Sequence, residues 1–320
     1  MIDEFTSSTP VLVIVNPHAG RDRAGQNWPT VAEALQSAGV AFDVVTTRKP
    51  GEAITLAEHA ASEYRMVVAA GGTGTVHEVA NGLLLAAAGA PTTPMAIIPL
   101  GLDNDFAKNS PAEVVLDPAE SWRDAVAKIT RGETGVRDAA RVTTDIPHHT
   151  LQDRPLHIIN ALTIGLGALA LDLRQQAPRY YADNTVALTS MVSALGKYTP
   201  PLVITRLDAV DISQYCTMIA VMLGRCMGGR FWVAPEAKPD DGLLDVLLVP
   251  EMGRLGLLGL LTEMMKGSVS AAPQLRRQTT RRVRILSNEA LLVETDGEVP
   301  FRNAHRLEIE ILPNALTVVV

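Results

Sequence analysis

The residues with the clearest chemical potential form a glycine-rich stretch in the first third of the chain. Gly71, Gly72 and Gly74 fall within four positions, between an apolar run and a helical pattern. Glycine lets a backbone approach a ligand closely and turn with positive φ. A helix beginning near Thr75 would aim its free N–H groups at the same place. A bound phosphate is therefore expected here. The alternative is a tight turn, which needs only one glycine, and the spacing matches neither the Walker nor the Rossmann motif.

Two further polar loops follow other apolar runs. The loop from Asn16 to Gly20 combines a polar side chain, a rigid Pro17 turn and a glycine, and the loop from Gly101 to Asp105 brings two carboxylates and an amide. Each has an ordinary explanation, an Asn-Pro turn or an Asp helix cap. However, loops at the carboxyl ends of parallel strands collect in one crevice. Their convergence makes a ligand site the more specific interpretation.

These loops require a scaffold of alternating strands and helices. Apolar, β-branched runs begin near residues 11, 42, 66 and 95, with helical stripes between them, and the first helix is expected to open at Asn27 and Pro29. The pattern predicts a parallel sheet with crossover helices. The expected fold class is α/β, with an N-terminal three-layer α/β nucleotide-binding domain over residues 1–138.

The alternation of strands and helices ends near Gly135, and short strand-like runs follow it. They predict a C-terminal β-rich, β-sandwich-like domain over residues 139–312, while residues 313–320 return to the first domain as an added strand. Helical patterns interrupt the strands near 184–196 and 253–266. The second is rich in leucine and is expected to be a core-facing helix.

Composition narrows the class of protein. The 320 residues are 47% apolar and 4% aromatic with a net charge of −7, which argues against disorder and against a broad nucleic-acid footprint. Two cysteines, Cys216 and Cys226, are expected to be buried and reduced. The longest apolar runs are too short for a membrane span, and the first five residues lack a secretory pattern. A cytoplasmic protein is expected.

These motifs identify a resemblance to the bacterial diacylglycerol and lipid kinase family, which includes sphingosine and ceramide kinases and is related in fold to NAD kinases. The family's Gly-Gly-Asp-Gly-Thr-x-x-Glu is matched from Gly71 to Glu78 except at Thr73, and its Asn-Pro-x-x-Gly from Asn16 to Gly20. Its Pro-x-Gly-Thr-x-Asn-Asp-Phe-Ala is matched from Pro99 to Ala107 except at Leu102. Ala234 to Asp245 resembles its metal-site stretch, and Asp296 to Glu298 its late Asp-Gly-Glu.

The resemblance implies an ATP-dependent kinase that phosphorylates a lipid hydroxyl and uses Mg²⁺. It assigns nucleotide binding to Asn16, Pro17, Gly20, Thr47, Gly71, Gly72, Thr73, Gly74, Thr75, Glu78, Gly101 and Asn104. It assigns catalysis to Asp105 and Asp138, which would organise the catalytic Mg²⁺, and to Glu298 as general base with Asp296 beside it. A second, structural Mg²⁺ would be held by the Asp241 side chain and the carbonyls of Lys238 and Leu243.

Two departures from the motifs leave alternatives open. Thr73 replaces an aspartate that serves the catalytic metal in the family, and Leu102 replaces a nucleotide-contacting threonine. The chain is therefore either an active lipid kinase acting on diacylglycerol or a similar lipid, with Asp103 or Asp105 holding the metal, or a weakened or inactive nucleotide- or lipid-binding homologue. An NAD kinase would share the glycine loop but would not explain the late Asp-Gly-Glu.

The same resemblance sets expectations about partners. A lipid with a free hydroxyl is the expected substrate, and no nucleic acid is expected. A run of arginines, from Arg276 to Arg284, is most simply a solvated face, although it could meet anionic lipid. The protein is expected to be peripheral to the membrane when it acts on lipid, with transient contact, and relatives suggest a homodimer.

Overall fold

The computed structural model describes residues 10–108, 121–177, 183–269 and 275–320. The chain divides into two units, Met1–Asp138 with Asn314–Val320, and Ala139–Pro313.

The elements of the first part of the chain alternate between strand and helix. They are β1 (Val11–Val15), α1 (Arg23–Ser37), β2 (Phe42–Thr46), α2 (Glu52–Ala60), β3 (Met66–Gly71), α3 (Thr73–Ala87), β4 (Met95–Pro99), α4 (Asp105–Lys108) and α5 (Ser121–Arg131).

The remaining elements are mostly strands. They are β5 (Thr134–Thr144), β6 (Leu156–Ile158), β7 (Ala161–Gly165), α6 (Leu166–Gln176), α7 (Asp183–Lys197), β8 (Leu202–Leu207), β9 (Val210–Met222), β10 (Leu244–Pro250), α8 (Arg254–Lys266), β11 (Arg276–Thr280), β12 (Arg282–Thr295) and β13 (Glu298–Val319).

The first unit is built on parallel strand pairs, as the sequence predicts. Strand β1 pairs in parallel with β2 and β3, and β3 with β4. Every residue of β1 and β3 is buried, which explains why both strands are continuously apolar. Helices α1 and α5 share a core with Val11, Val13 and Val15 of β1. The returning end of β13 places Val318 beside Met95 of β4 in parallel.

The second unit is antiparallel. Strand β9 pairs with β7, β8 and β10, and β10 also pairs with β11. Strand β12 pairs with β7, β8 and β13. The prediction of a β-rich second domain is therefore confirmed, but β12 and β13 are long strands that the sequence divides into two runs each.

Several predicted details are wrong. Helix α1 begins at Arg23 and contains Pro29, so this proline does not open the helix. Helix α6 was not predicted, because its apolar sequence continues that of β7 and its N-cap, Gly165, has φ 93° and forms no side-chain cap. Among the nucleotide-loop residues, Gly72 has φ −97° and is not left-handed.

Both cysteines are free and buried, as predicted. Burial raises the pKa of the Cys216 thiol to about 11. Helix α8 is core-facing on one side only: Leu257 and Leu260 are buried, whereas Leu255 is 86% exposed. No helix among the described residues is long and apolar enough to cross a bilayer.

Candidate active site

The three polar loops of the first unit contact one another directly. Asn16 Nδ2, after β1, donates to Thr75 Oγ1 in the first turn of α3 over 3.1 Å. The Asp105 N–H, after β4, donates to Thr73 Oγ1 over 3.4 Å. The Leu100 N–H donates to the Gly71 carbonyl over 2.9 Å. The convergence expected from parallel strands is therefore present in the structure.

The glycines let these loops approach at backbone distance. A Cβ on Gly101 would lie 2.3 Å from Gly72 Cα, and a Cβ on Gly20, which has φ +61°, would lie 2.6 Å from the Leu100 carbonyl oxygen. Gly101 is also tied to Asn104, whose side chain accepts from the Gly101 N–H and donates to its carbonyl, each over 3.0 Å. Loop-to-loop packing, rather than positive φ at Gly72, is thus one reason for the glycines.

The N-terminus of α3 lies among these loops. The helix has Gly72 as its N-cap residue, and no side chain caps it. The first N–H groups of a helix have no partner within the helix and carry its positive dipole end. The arrangement can therefore accept an anionic group, and phosphate fits it.

Glu78 is a predicted nucleotide residue whose carboxylate faces the backbone of another helix. Its Oε1 accepts from the Gly51 N–H over 2.8 Å and its Oε2 from the Ala53 N–H over 3.1 Å. Both groups belong to the start of α2, directly after the loop that carries Thr47. Thr47 is itself buried, and its N–H donates to the Val15 carbonyl over 2.9 Å. Glu78 therefore holds the Thr47 loop in place.

The two aspartates assigned to the catalytic metal are both buried in the first unit. Asp105 is 5% exposed and Asp138 is 1% exposed. The Asp138 carboxylate accepts from the Asn314 N–H over 2.7 Å, which fastens the returning segment. His77 of α3 is 2% exposed, because it lies within a run of ten consecutive buried residues of this helix.

Asp296 of the second unit is used as a structural anchor. Its Oδ1 accepts from the N–H groups of Asn160 and Ala161 over 2.9 and 2.8 Å, and its Oδ2 from that of Ile159 over 2.9 Å. The residue is 2% exposed. Both oxygens of this carboxylate are therefore occupied by backbone donors. The catalytic role that the resemblance implies for Asp296 stays a prediction.

Glu298 follows Asp296 and Gly297 at the start of β13. Asp296 has φ +45° and Gly297 has φ +87°, and Thr295 pairs directly with Glu298. These two residues therefore form a two-residue hairpin turn of the type that the Asp-Gly sequence favours. Glu298 is half-buried, and within the described part of the chain no hydrogen bond or ion pair engages its carboxylate.

The predicted structural metal residues lie at the turn before β10. The Asp241 carboxylate is exposed and accepts from the Leu243 N–H over 3.1 Å. Burial, together with the charges of Asp241 and Glu236, raises the pKa of the nearby Asp245 to about 6. Hard oxygen donors and surplus negative charge fit a cation such as Mg²⁺. No group of three or more His, Cys, Asp or Glu residues able to hold a metal occurs in the described segments, and the predicted set contains one carboxylate.

Sequence reasoning missed a second buried acid beside the Asp-Gly-Glu turn. Glu294 is 3% exposed and contacts both Thr163 and Gly297. The signal was present, since Glu294 directly follows the apolar run Leu291–Val293 near the buried end of β12. Its partner Thr163 is 131 positions away, so the contact itself cannot be read from the sequence.

Glycine loops that meet a helix N-terminus at the ends of parallel strands define the class of phosphate-binding α/β proteins. Comparison with protein families specifies the class further. Residues 10–142 match the diacylglycerol kinase catalytic domain, and residues 161–320 match the YegS C-terminal NAD kinase beta sandwich-like domain. The chain belongs to the diacylglycerol kinase family, within the YegS-like lipid kinases.

Individual relatives agree with this membership. The chain is 31% identical over 269 residues to a "Probable lipid kinase YegS-like" of Xanthomonas oryzae pv. oryzae, covering 82% of each chain. It is 25% identical over 299 residues to the diacylglycerol kinase of Bacillus subtilis, covering 89% of this chain and 88% of the relative.

Solved structures share the fold. A diacylglycerol kinase of Bacillus anthracis str. Sterne superposes with a TM-score of 0.68 at 22% identity, covering 97% of this chain and 96% of the other. Yeast NADH kinase superposes with a TM-score of 0.51 at 10% identity, covering 98% of this chain and 83% of the other.

Proposed function

We propose that the protein is an ATP-dependent lipid kinase that transfers the γ-phosphate to a hydroxyl of diacylglycerol or a related lipid. The observation that carries the proposal is the meeting of three loops, after β1, β3 and β4, at the uncapped N-terminus of α3. Family membership supplies the lipid class of the acceptor. We place its action at the cytoplasmic side, where ATP is available.

In this proposal the first unit binds the nucleotide. The N–H groups at the start of α3 receive the phosphates, and Gly72 and Gly101 let the loops after β3 and β4 pack together beside this helix start at backbone distance. Asn16 orients Thr75 by its 3.1 Å hydrogen bond, and Glu78 holds the Thr47 loop. Mg²⁺, when bound, would neutralise phosphate charge during transfer; Asp105 and Asp138 are the carboxylates proposed to hold it.

Glu298 is the proposed general base. A general base must reach the hydroxyl proton with an acceptor atom that is not already occupied. The Glu298 carboxylate is unengaged among the described residues, whereas that of Asp296 accepts from three N–H groups. We therefore assign proton acceptance to Glu298 and anchoring of the turn to Asp296.

A labelled-phosphate assay tests this function. The protein is incubated with ATP labelled at the γ-phosphate, Mg²⁺ or Mn²⁺, and a panel of acceptors comprising diacylglycerol, ceramide, sphingosine, monoacylglycerol and NAD. Label in a lipid product supports the proposal. Label in NAD without label in any lipid would instead make the protein an NAD kinase, the class suggested by the fold of yeast NADH kinase.

A second candidate, a catalytically weak homologue, is favoured by the position of Thr73. Its hydroxyl is neutral and already accepts the Asp105 N–H over 3.4 Å, so it replaces the family's metal-serving carboxylate poorly. This candidate predicts that wild-type transfer is slow and can be improved by restoring the anionic oxygen.

Thr73→Asp should then raise the rate of phosphoryl transfer by about tenfold or more, since a carboxylate at this position would help to hold a metal ion, a bound metal ion stabilises developing charge by several kcal/mol, and each ~1.4 kcal/mol is tenfold. A carboxylate can also still accept the Asp105 N–H. Initial rates with the best lipid acceptor measure the change, and Thr73→Asn, which is neutral and of similar size, is the matched control. A brisk wild-type enzyme slowed by Thr73→Asp would show that the site is rebuilt around threonine.

We also propose transient contact with a lipid surface through the outer face of α8. Leu255, Leu258 and Met265 are 86%, 46% and 52% exposed, and Arg254 and Lys266 flank them at the helix ends. Apolar residues flanked by cations suit the headgroup region of a membrane that carries anionic lipid.

Replacing Leu255 and Leu258 together by Ser should weaken sedimentation with vesicles of equal parts phosphatidylcholine and phosphatidylglycerol by about tenfold, because less apolar area enters the lipid. The matched control replaces Ile204 and Leu286, which are 44% and 42% exposed on the paired strands β8 and β12, by Ser. Equal losses in the two double variants would contradict a contact specific to α8.

A further inference from the structure

The two-residue turn before Glu298 is held by one side chain of β12 and one of α6, both in the second unit. Glu294, near the end of β12, accepts from the Gly297 N–H through Oε1 over 2.8 Å and from the Thr163 hydroxyl of β7 through Oε2 over 2.6 Å. Gln175 Nε2 of α6 donates to the Gly297 carbonyl over 3.1 Å. Both peptide groups that flank Gly297 are therefore fixed.

The position of Glu294 is costly and needs an explanation. It is 3% exposed on a strand whose neighbours Leu291 and Val293 are fully apolar and buried. Taking a carboxylate out of water is unfavourable unless good hydrogen bonds satisfy it. An apolar residue would pack this strand at lower cost. The carboxylate therefore serves something other than the core.

The Glu294 carboxylate is not needed to form the turn itself. An Asp-Gly pair adopts this turn by its own backbone preference, and the Asp296 side chain already ties the turn to the backbone of residues 159–161. The additional bonds act one residue further along, at Gly297. Glycine has the freest backbone of all residues, so without them the direction in which the Glu298 side chain leaves the chain would be poorly defined.

A second tie fixes the strand on the other side of Glu298. Arg302 Nη1 of β13 donates to Asp172 Oδ1 of α6 over 2.6 Å, and Gln176 Nε2 donates to Asp172 Oδ2 over 2.8 Å. Asp172 is 8% exposed. Helix α6 thus holds both Gly297 and Arg302, the residues that bracket Glu298.

We propose that Glu294 is a positioning residue for phosphoryl transfer: it holds Gly297 so that the Glu298 carboxylate lies where the acceptor hydroxyl releases its proton. The inference rests on the proposed function, in which Glu298 is the general base. Small misplacements of a catalytic group reduce rates strongly, by about 100-fold for 1 Å. A positioning residue should therefore affect turnover far more than binding of the nucleotide.

The test compares three variants with wild type. Glu294→Ala removes both acceptors and should lower kcat by about 10- to 100-fold, with the KM for ATP nearly unchanged. Glu294→Gln keeps an oxygen for the Gly297 N–H and offers an NH₂ group to the Thr163 oxygen, so it should recover most of the wild-type kcat. Gln175→Ala, at an exposed position that is expected to fold normally, should produce a smaller loss of the same kind.

Thr280→Val is the matched structural control, because Thr280 is 2% exposed and its hydroxyl bonds to Asp208 in the same unit. It should leave kcat unchanged. Hydrogen exchange provides a readout without activity: the amide of Gly297 should exchange faster in Glu294→Ala than in wild type, while that of Ile159 should not.

The outcomes separate this inference from the proposed function. If Glu298→Gln transfers phosphate at the wild-type rate, Glu298 is not the base and the proposed mechanism is wrong, whatever Gly297 does. If Glu298→Gln is inactive but Glu294→Ala keeps its kcat, or its Gly297 amide remains protected, the positioning role is overturned. Equal loss of kcat in Thr280→Val, or no recovery in Glu294→Gln, would also overturn it.

Discussion

Glu298→Gln is expected to reduce lipid phosphorylation by about 100- to 10,000-fold, the usual contribution of a general base. A neutral amide cannot take the hydroxyl proton, although it fills the same space. The side chain is half-buried and unengaged among the described residues, so the free energy of unfolding should change by no more than about 0.5 kcal/mol. Initial rates with a saturating lipid acceptor, together with urea unfolding, measure both expectations.

The control for this variant is Glu251→Gln, which neutralises an exposed glutamate in the same unit and should retain the wild-type rate. Affinity for ATP, measured by calorimetry, should be the same in all three proteins, because Glu298 is not proposed to contact the nucleotide. A Glu298→Gln protein that phosphorylates lipid at the wild-type rate would refute the assignment of the base.

Asp296→Ala is expected to be the most destabilising single substitution near the turn. It leaves the N–H groups of Ile159, Asn160 and Ala161 without their acceptor in a buried position, and a hydrogen bond to a charged group contributes about 1.5–3 kcal/mol. Because such losses are not additive, we expect a total of about 3–5 kcal/mol. Urea unfolding measures it directly.

Asp296→Asn is the matched variant, because its remaining amide oxygen can take the place of Oδ1, which accepts from both Asn160 and Ala161. It should lose less stability than Asp296→Ala and should keep a measurable rate of transfer. An Asp296→Ala protein that is as stable as wild type but inactive would mean that this aspartate, rather than Glu298, acts on the substrate.

The features of the fold and of the candidate site that the sequence predicts are those that follow from local sequence patterns. Continuous apolar runs predict β1 and β3 as buried strands, and parallel strands bring the loops after β1, β3 and β4 to one edge, where Asn16 meets Thr75. Repeated spacing and strand order are enough for these conclusions, because neither depends on where a particular side chain points.

Other features depend on contacts between residues that are distant in the chain, and they could therefore not be predicted from the sequence. From the sequence, Asp296 is interpreted as a catalytic neighbour of Glu298. In the structure its carboxylate accepts from backbone N–H groups 135–137 positions away. Glu78 reads as part of a nucleotide motif, but its carboxylate binds the start of α2, 25–27 positions earlier. In both cases the residue type was informative, while the observed contacts are with backbone N–H groups that the sequence does not display.

The predicted boundaries of some helices and strands were wrong for local reasons. Proline is a frequent first residue of helices, but α1 begins at Arg23, six residues before Pro29. The sequence from Ala161 into α6 is uniformly apolar, so periodicity alone cannot separate β7 from the helix that follows it. Length and flanking glycine are the remaining signals, and Gly165 indeed marks the junction.

The most direct measurement of the central claim is the identity of the product formed from diacylglycerol. The protein is incubated in mixed micelles with Mg²⁺ and ATP whose γ-phosphate oxygens carry ¹⁸O, and the lipids are analysed by mass spectrometry. The expected product is phosphatidic acid, or the corresponding monophosphate of a related lipid, that carries the heavy oxygens and forms about 100-fold or more slowly with Glu298→Gln. ATP binding without any ¹⁸O-labelled lipid phosphate, over the whole acceptor panel and with Thr73→Asp as well, would contradict it.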